Sequence, residues 1–172
     1  MKKIMSEKEA SFIAIYAKNY QPWLKVPKIN EENRTKKVDI VLMVNRWDGM
    51  VGFPGGLVEK GENTKISAIR ETVEEINYQV NSDKLKFFCA HNLKEKKLTT
   101  HLYGIEVSIE EIFKIQQNIF SAVDYGSEIM GSNLVILNNL HITKGFQKFI
   151  ESPMPESVKE ELLFIKKVIK TN

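Results

Sequence analysis

Apolar residues fall along this chain in two rhythms. SFIAIYA at 11–17 and VDIVLMVNRW at 38–47 are rich in β-branched and large side chains and predict strands. KLKFFCAHNL at 84–93, LTTHLYGIEV at 98–107 and the short LVIL at 134–137 predict three more, and the charged Lys94 to Lys97 segment suits a hairpin-like connection. Elsewhere apolar positions recur every three or four residues, predicting helices over 64–76, 108–120 and 155–170. The second has Ser108 as its N-cap with Glu111 three residues on, and Ile112, Ile115 and Ile119 on one face. The third gathers Val158, Leu162, Ile165 and Ile169.

The polar stretch 19–37, with Pro22 and Pro27, reads as a long surface loop that ends in Arg34, Lys36 and Lys37. Strands and helices mix with no internal repeat and no linker-like composition. The expectation is one domain over 1–172, of α/β or α+β class.

Composition narrows this. At 172 residues, 42% hydrophobic and 27% charged, the chain can bury a core without disulfides or structural metal. The single cysteine, Cys89, excludes an intrachain disulfide, points to a reducing compartment and reads as a buried thiol beside Phe87 and Phe88. A net charge of +3 from 25 basic and 22 acidic residues tolerates a polyanionic ligand but lacks the basic stripe of a nucleic-acid-binding surface. In MKKIMSEKEASFIAIYAKNY, Glu7, Lys8 and Glu9 precede only a short apolar run, whereas a spanning helix needs about 20 apolar residues. No signal peptide and no membrane partner are expected, and the location expected is cytoplasmic.

The chemistry concentrates in GFPGGLVEKGENTKISAIRETVEEINY, residues 52–78. Asn63 or Thr64 caps the helix, Ile66, Ile69, Val73 and Ile76 are expected on one face, and Glu71, Glu74 and Glu75 on the opposite one. Acids opposite an apolar stripe suit any surface helix, so periodicity alone leaves a solvated face and a site both open. Two features favour a site. Three carboxylates at i, i+3 and i+4 repel one another by about a few tenths of a kcal/mol per pair, with Arg70 the one close cation. Upstream, Gly55-Gly56 lets a turning strand bring backbone carbonyls close, and carbonyl plus carboxylate oxygens suit a hard divalent cation.

The spacing goes further. Five residues separate Gly56 from Glu62, seven more lead to Arg70-Glu71, and two more to Glu74-Glu75. This resembles the Nudix box, G-x5-E-x7-R-E-U-x-E-E-x-G-U, where U is a bulky apolar residue. Thr72 stands at the first U, Asn77 replaces the later glycine and Tyr78 fills the last U. Asparagine is the next most tolerant residue of the left-handed conformation that ends helices. Beyond the box, RWDGMVGFPGGLVEKGE, Ala90-His91, HLYGIEV, EEIFKI, DYGSEIMG and LVIL are similar to the small-nucleolar-RNA-decapping branch of the Nudix hydrolases, whose members also hydrolyse inosine diphosphate.

That resemblance implies an α/β fold, the Nudix α/β/α sandwich around a mixed central sheet. It implies a pyrophosphohydrolase using magnesium or manganese, with Gly55 (through its carbonyl), Glu71, Glu74, Glu75 and Glu128 as metal ligands. Glu74, Glu75 and Glu128 are the candidate general bases, Arg70 orients the box carboxylates, and Glu62 is mainly structural. Arg46, Phe53, His91 and Glu161 fall at positions lining the nucleotide pocket, and the base is expected on Phe53 or Trp47. Phe12 departs from the branch, which has a histidine there. The substrate implied is a nucleoside diphosphate derivative, with free inosine diphosphate favoured and an RNA 5′ end as the alternative; a homodimer is also implied.

Other readings belong to other classes. The fold would also serve a silent nucleotide-binding module, although the acid set is intact. A cysteine hydrolase on Cys89 and His91 lacks a third orienting group. Outside the resemblance, His101 and His141 read as structural, and the acids and lysines around Glu161 equally suit a solvated helix face.

Overall fold

The first two strands read as unbroken apolar runs because both of their faces are covered. In the computed structural model, which describes residues 8–138 and 145–171, β1 (Lys8–Tyr20) and β2 (Val38–Arg46) lie inside a seven-stranded mixed sheet. His141 lies outside the described residues.

Alternate side chains feed two cores. Ile13, Ile15 and Ala17 of β1, with Ile40, Leu42 and Val44 of β2, pack under α2 (Thr64–Ile76) and α3 (Ile109–Asn118). Ala14 and Tyr16, with Val41 and Met43, face the opposite way, onto α4 (Gly145–Phe149) and α5 (Val158–Thr171). The architecture is the expected α/β/α sandwich.

The sheet is split where the site lies. β1 pairs antiparallel with β2 only through Tyr16–Tyr20, and its earlier residues Ala10–Phe12 pair with β4 (Gly55–Leu57). The far end of β2 pairs with β3 (Val51–Gly52) on that side, and β7 (Ile129–Ile136) pairs with β2 from Ile40 to Arg46 on the other. The β3–β4 segment thus fills a gap between diverging strands. β1 also runs parallel to β6 (Leu98–Glu106), which pairs with the edge strand β5 (Lys86–Leu93).

Several expectations need correction. β1 runs beyond 11–17 at both ends, and the 19–37 loop contains a short helix α1 (Glu31–Arg34) capped by the Asn30 side chain. β3 and α4 are too short to show a period in the sequence, and the strand expected to turn through Gly55-Gly56 is the three-residue β4. The 64–76 helix has the bounds the spacing predicts, with Asn63 accepting from the Lys65 amide and Asn77 left-handed at φ 52°. Its inward face differs: Ser67, Ala68, Thr72, Glu75 and Ile76 are buried, while Ile66 is 61% exposed. The Gly55–Leu57 turn covers the acid side, so the axis of burial is rotated away from the apolar stripe. In α3, Ser108 accepts from the Glu111 amide and Ile112 and Ile115 are buried, as expected; Ile119 is buried in the 3-10 turn that follows. α5 buries Val158, Leu162, Ile165 and Ile169, but the solvated reading of Glu161 fails, because that side chain is 1% exposed.

Candidate active site

Arg70 organises the acids. Its guanidinium donates from Nε to Glu62 Oε1 and from Nη2 to Glu62 Oε2, both at 3.0 Å, a two-bond fork. Nη1 donates to Glu71 Oε1 at 2.8 Å and Glu74 Oε2 at 2.9 Å, and Nη2 reaches the Leu57 carbonyl at 3.2 Å. The repulsion expected among Glu71, Glu74 and Glu75 is therefore partly answered from within the chain, since one cation touches two of the three. Hydrogen bonds from Arg70 hold the Glu62 carboxyl down at about 2 and, with those acids around it, keep the guanidinium firmly charged.

Glu75 stands apart from that fork. It is 5% exposed and its Oε2 accepts the Gly55 amide at 2.8 Å. Burial, with the nearby charges of Glu71 and Glu128, pushes its pKa up to about 8 against the lowering effects of Gly55 and Arg46. Burial likewise raises Glu71. Two glycines make this approach possible. A Cβ on Gly55, at φ 141°, would strike the Ser11 carbonyl, and one on Gly56 would fall 2.5 Å from Glu71 Oε2.

Glu128 comes from the other side of the sheet split. The 119–128 segment is tied to the end of α2 by Asp124 N–H donating to the Glu74 carbonyl at 3.0 Å, and to β2 by Trp47 N–H donating to the Glu128 carbonyl at 2.9 Å. Glu71, Glu74, Glu75 and Glu128 all line one cleft of about 700 Å³, with Gly55, Arg46 and Phe53. Among the described residues, no three His, Cys, Asp or Glu side chains converge closely enough to cage a cation as they stand. The donor set nonetheless fits a hard divalent ion: every candidate ligand atom is an oxygen, and the neighbouring carboxylates add to burial in raising Glu71 (from Glu74 and Glu128) and Glu75 (from Glu71 and Glu128), against only partial compensation.

The remaining pocket candidates separate. Arg46 lines the cleft and forks onto Asp48. Phe53 is only 3% exposed and belongs to the second core, whereas Trp47, also in the wall, is 64% exposed and offers a free ring face. Glu161 lines the far end, where its Oε1 accepts from Ser157 Oγ at 3.1 Å and Thr100 Oγ1 at 3.5 Å. Burial raises its pKa against the pull of Ser157, His91 and Thr100. His91 is not in the wall; its Nδ1 lies 3.3 Å from Glu161 Oε1, an ion-pair distance without hydrogen-bond alignment. Phe12 is in the wall, beside Gly55. Glu161 stands beside His91 as the orienting group the sequence did not show. Cys89, however, is half-buried rather than buried, makes no hydrogen bond to His91 among the described residues, and is pushed up to about 11 by burial with Glu161 adding to it, all of which disfavours a cysteine hydrolase.

Sequence reasoning missed Thr100, Ser157 and Asp48. The first two carry no pattern, because they meet Glu161 only through packing. Asp48 does: Asp-Gly after an apolar run signals a hairpin turn, and β2 and β3 form that hairpin.

A family model described as Nudt16-like, U8 snoRNA-decapping enzyme-like, matches residues 9–169. The chain belongs to this family of Nudix hydrolases. Among relatives of this Nudix chain, a U8 snoRNA-decapping enzyme from Homalodisca vitripennis is 35% identical over 117 residues, covering 66% of the chain and 63% of the relative. The alignments span slightly less than two thirds of the length of the first curated relatives matched. Solved structures agree on the fold. A mutT/nudix family protein from Listeria innocua superposes with a TM-score of 0.65 at 14% identity, covering 97% of this chain and 96% of that one. The NUDIX domain of Shewanella oneidensis NrtR, solved with ADP ribose, gives 0.61 at 11% identity, covering 96% and 90%.

Proposed function

We propose that the chain is a divalent-metal-dependent pyrophosphohydrolase that cleaves a phosphoanhydride bond in a nucleoside diphosphate derivative, with free inosine diphosphate favoured. The observation that carries this is the convergence of the Arg70-held acids, the buried Glu75 and the loop acid Glu128 on the cleft that also holds Arg46 and Trp47. Family membership supports hydrolysis of a diphosphate; the nucleotide and the ion belong to this reading.

In this scheme a water attacks one phosphorus, the P–O bond to the bridging oxygen breaks, and a phosphate leaves, so positioning and charge neutralisation do most of the work. Glu71, Glu74, Glu75, Glu128 and the Gly55 carbonyl would hold magnesium or manganese, which when bound supplies neutralisation of phosphate charge and a lowered pKa for water. Arg70 keeps Glu71 and Glu74 in place. Arg46 meets the phosphates, and Glu74, Glu75 or Glu128 takes the proton of the attacking water. The base lies against Trp47, with Phe53 deeper in the same wall, Glu161 at the end of the cleft and His91 behind it.

RNA 5′ ends form the second reading, favoured by Lys96 on the cleft wall and its neighbours Lys94 and Lys97. No binding of RNA at low salt would remove it. A cytoplasmic location and a homodimer are further parts of the proposal; no helix among the described residues is long and apolar enough to cross a membrane. Release of phosphate or nucleoside monophosphate from a substrate panel, with each metal, tests the main reading. Tight nucleotide binding with no release under any metal would favour the silent module instead.

A further inference from the structure

At the tip of the β2–β3 hairpin, Arg46 is held by one carboxylate. Its Nε donates to Asp48 Oδ1 at 3.2 Å and Oδ2 at 3.3 Å, and its Nη2 to Oδ2 at 2.9 Å. Nη1 makes no hydrogen bond among the described residues. A guanidinium has two usable edges, and Asp48 occupies the Nε–Nη2 edge. The Nη1–Nη2 edge remains, on a side chain that lines the cleft and whose charge is felt at Glu75. That edge matches two oxygens of a phosphate.

We propose that Asp48 is a positioning residue that fixes Arg46 with its free edge turned to the substrate's diphosphate. This rests on the proposed function only in taking a diphosphate as the ligand of the cleft. An unheld arginine on a hairpin tip would have to be immobilised on binding, and Asp48 does that beforehand. Asp48 also bears a negative charge near the phosphates, which opposes binding. The hydrogen-bonded fork acts at contact whereas that repulsion acts across the guanidinium and is screened, so the orienting effect prevails.

Asp48 has a structural duty too, since its Oδ1 accepts the Met50 amide at 3.1 Å and shapes the turn. Asp48→Asn keeps that acceptor and removes the charge-assisted fork, so it separates the two duties. The measurement is the Kd of inorganic pyrophosphate in magnesium by calorimetry, for wild type, Asp48→Asn, Arg46→Ala and the double variant. Asp48→Asn is expected to weaken binding about fivefold, the upper range for an exposed ion pair, with an unchanged melting temperature. The double variant should bind like Arg46→Ala alone, because Asp48 acts through Arg46. Equal or tighter binding by Asp48→Asn overturns the proposal, as does a loss that persists without Arg46 or a wild type that does not bind pyrophosphate. Turnover of the nucleotide panel is read separately. An intact coupling with no turnover removes the reaction and leaves the positioning role, whereas turnover without coupling does the reverse.

Discussion

Glu62 and Arg70, eight residues apart, are joined by two hydrogen bonds of 3.0 Å, Nε to Oε1 and Nη2 to Oε2. This fork closes the loop between the glycine turn and α2, and it leaves Nη1 to hold Glu71 and Glu74. The charge that orders the acids and the brace that holds the loop are one side chain.

The fork has a consequence for acid stability. Arg70 holds Glu62 at about 2 against an ordinary 4.5, so the folded state binds that proton less readily than the unfolded chain. The contribution is fully present above 4.5 and is lost as the pH falls toward 2. Urea titrations across that window should show Glu62→Gln less stable than wild type near neutrality and less sensitive to acid. Parallel acid limbs in the two proteins would contradict the assignment.

Gly55 and Gly56 should fail in different ways. Alanine at 55 meets backbone, the Ser11 carbonyl, at a φ of 141°, and should cost more than about 2 kcal/mol in denaturant unfolding. Alanine at 56 meets the flexible end of Glu71. Its melting temperature should stay near wild type while turnover falls about tenfold or more, because a displaced carboxylate ruins positioning before it ruins the fold.

At the end of α2, Asn77 is left-handed, its amide closes on the Val73 carbonyl, and its Nδ2 donates to Ser121 Oγ at 2.9 Å. Both Asn77→Gly and Asn77→Ala lose the side-chain bond, but only alanine strains the backbone. Alanine should be less stable than glycine by about 1 kcal/mol by chemical unfolding. Equal stability would show that the turn relaxes to another conformation.

Much of this was legible in residue order, and the rest for a physical reason was not. The helix at 64–76, its Asn63 cap and the left-handed Asn77 follow from local chemistry, which sequence carries directly. The burial of Glu75 does not, because a helical wheel distinguishes two faces but not that β4 folds over the acid one. β3 and β4 together hold five residues, too few for any period, yet they shape the turn on which Glu75 rests. Residue order leaves Glu161 open between a pocket position and a solvated helix face, and only packing decides, because β6 brings Thr100 against it and buries it.

The central claim is that these carboxylates serve a metal-dependent hydrolysis. Its most direct test compares wild type with Glu75→Gln on inosine diphosphate, with magnesium or manganese and with chelator, alongside unfolding of both proteins without metal. The glutamine is close in shape, keeps an oxygen to accept the Gly55 amide and matches the uncharged form that burial already favours for Glu75 without metal, so the variant should be about as stable as wild type. Its turnover should nevertheless fall by about a hundredfold or more, as expected when a charged group that acts on the transition state is removed. Wild-type turnover should vanish with chelator. Equal turnover by the two proteins, or turnover indifferent to metal, would contradict the account.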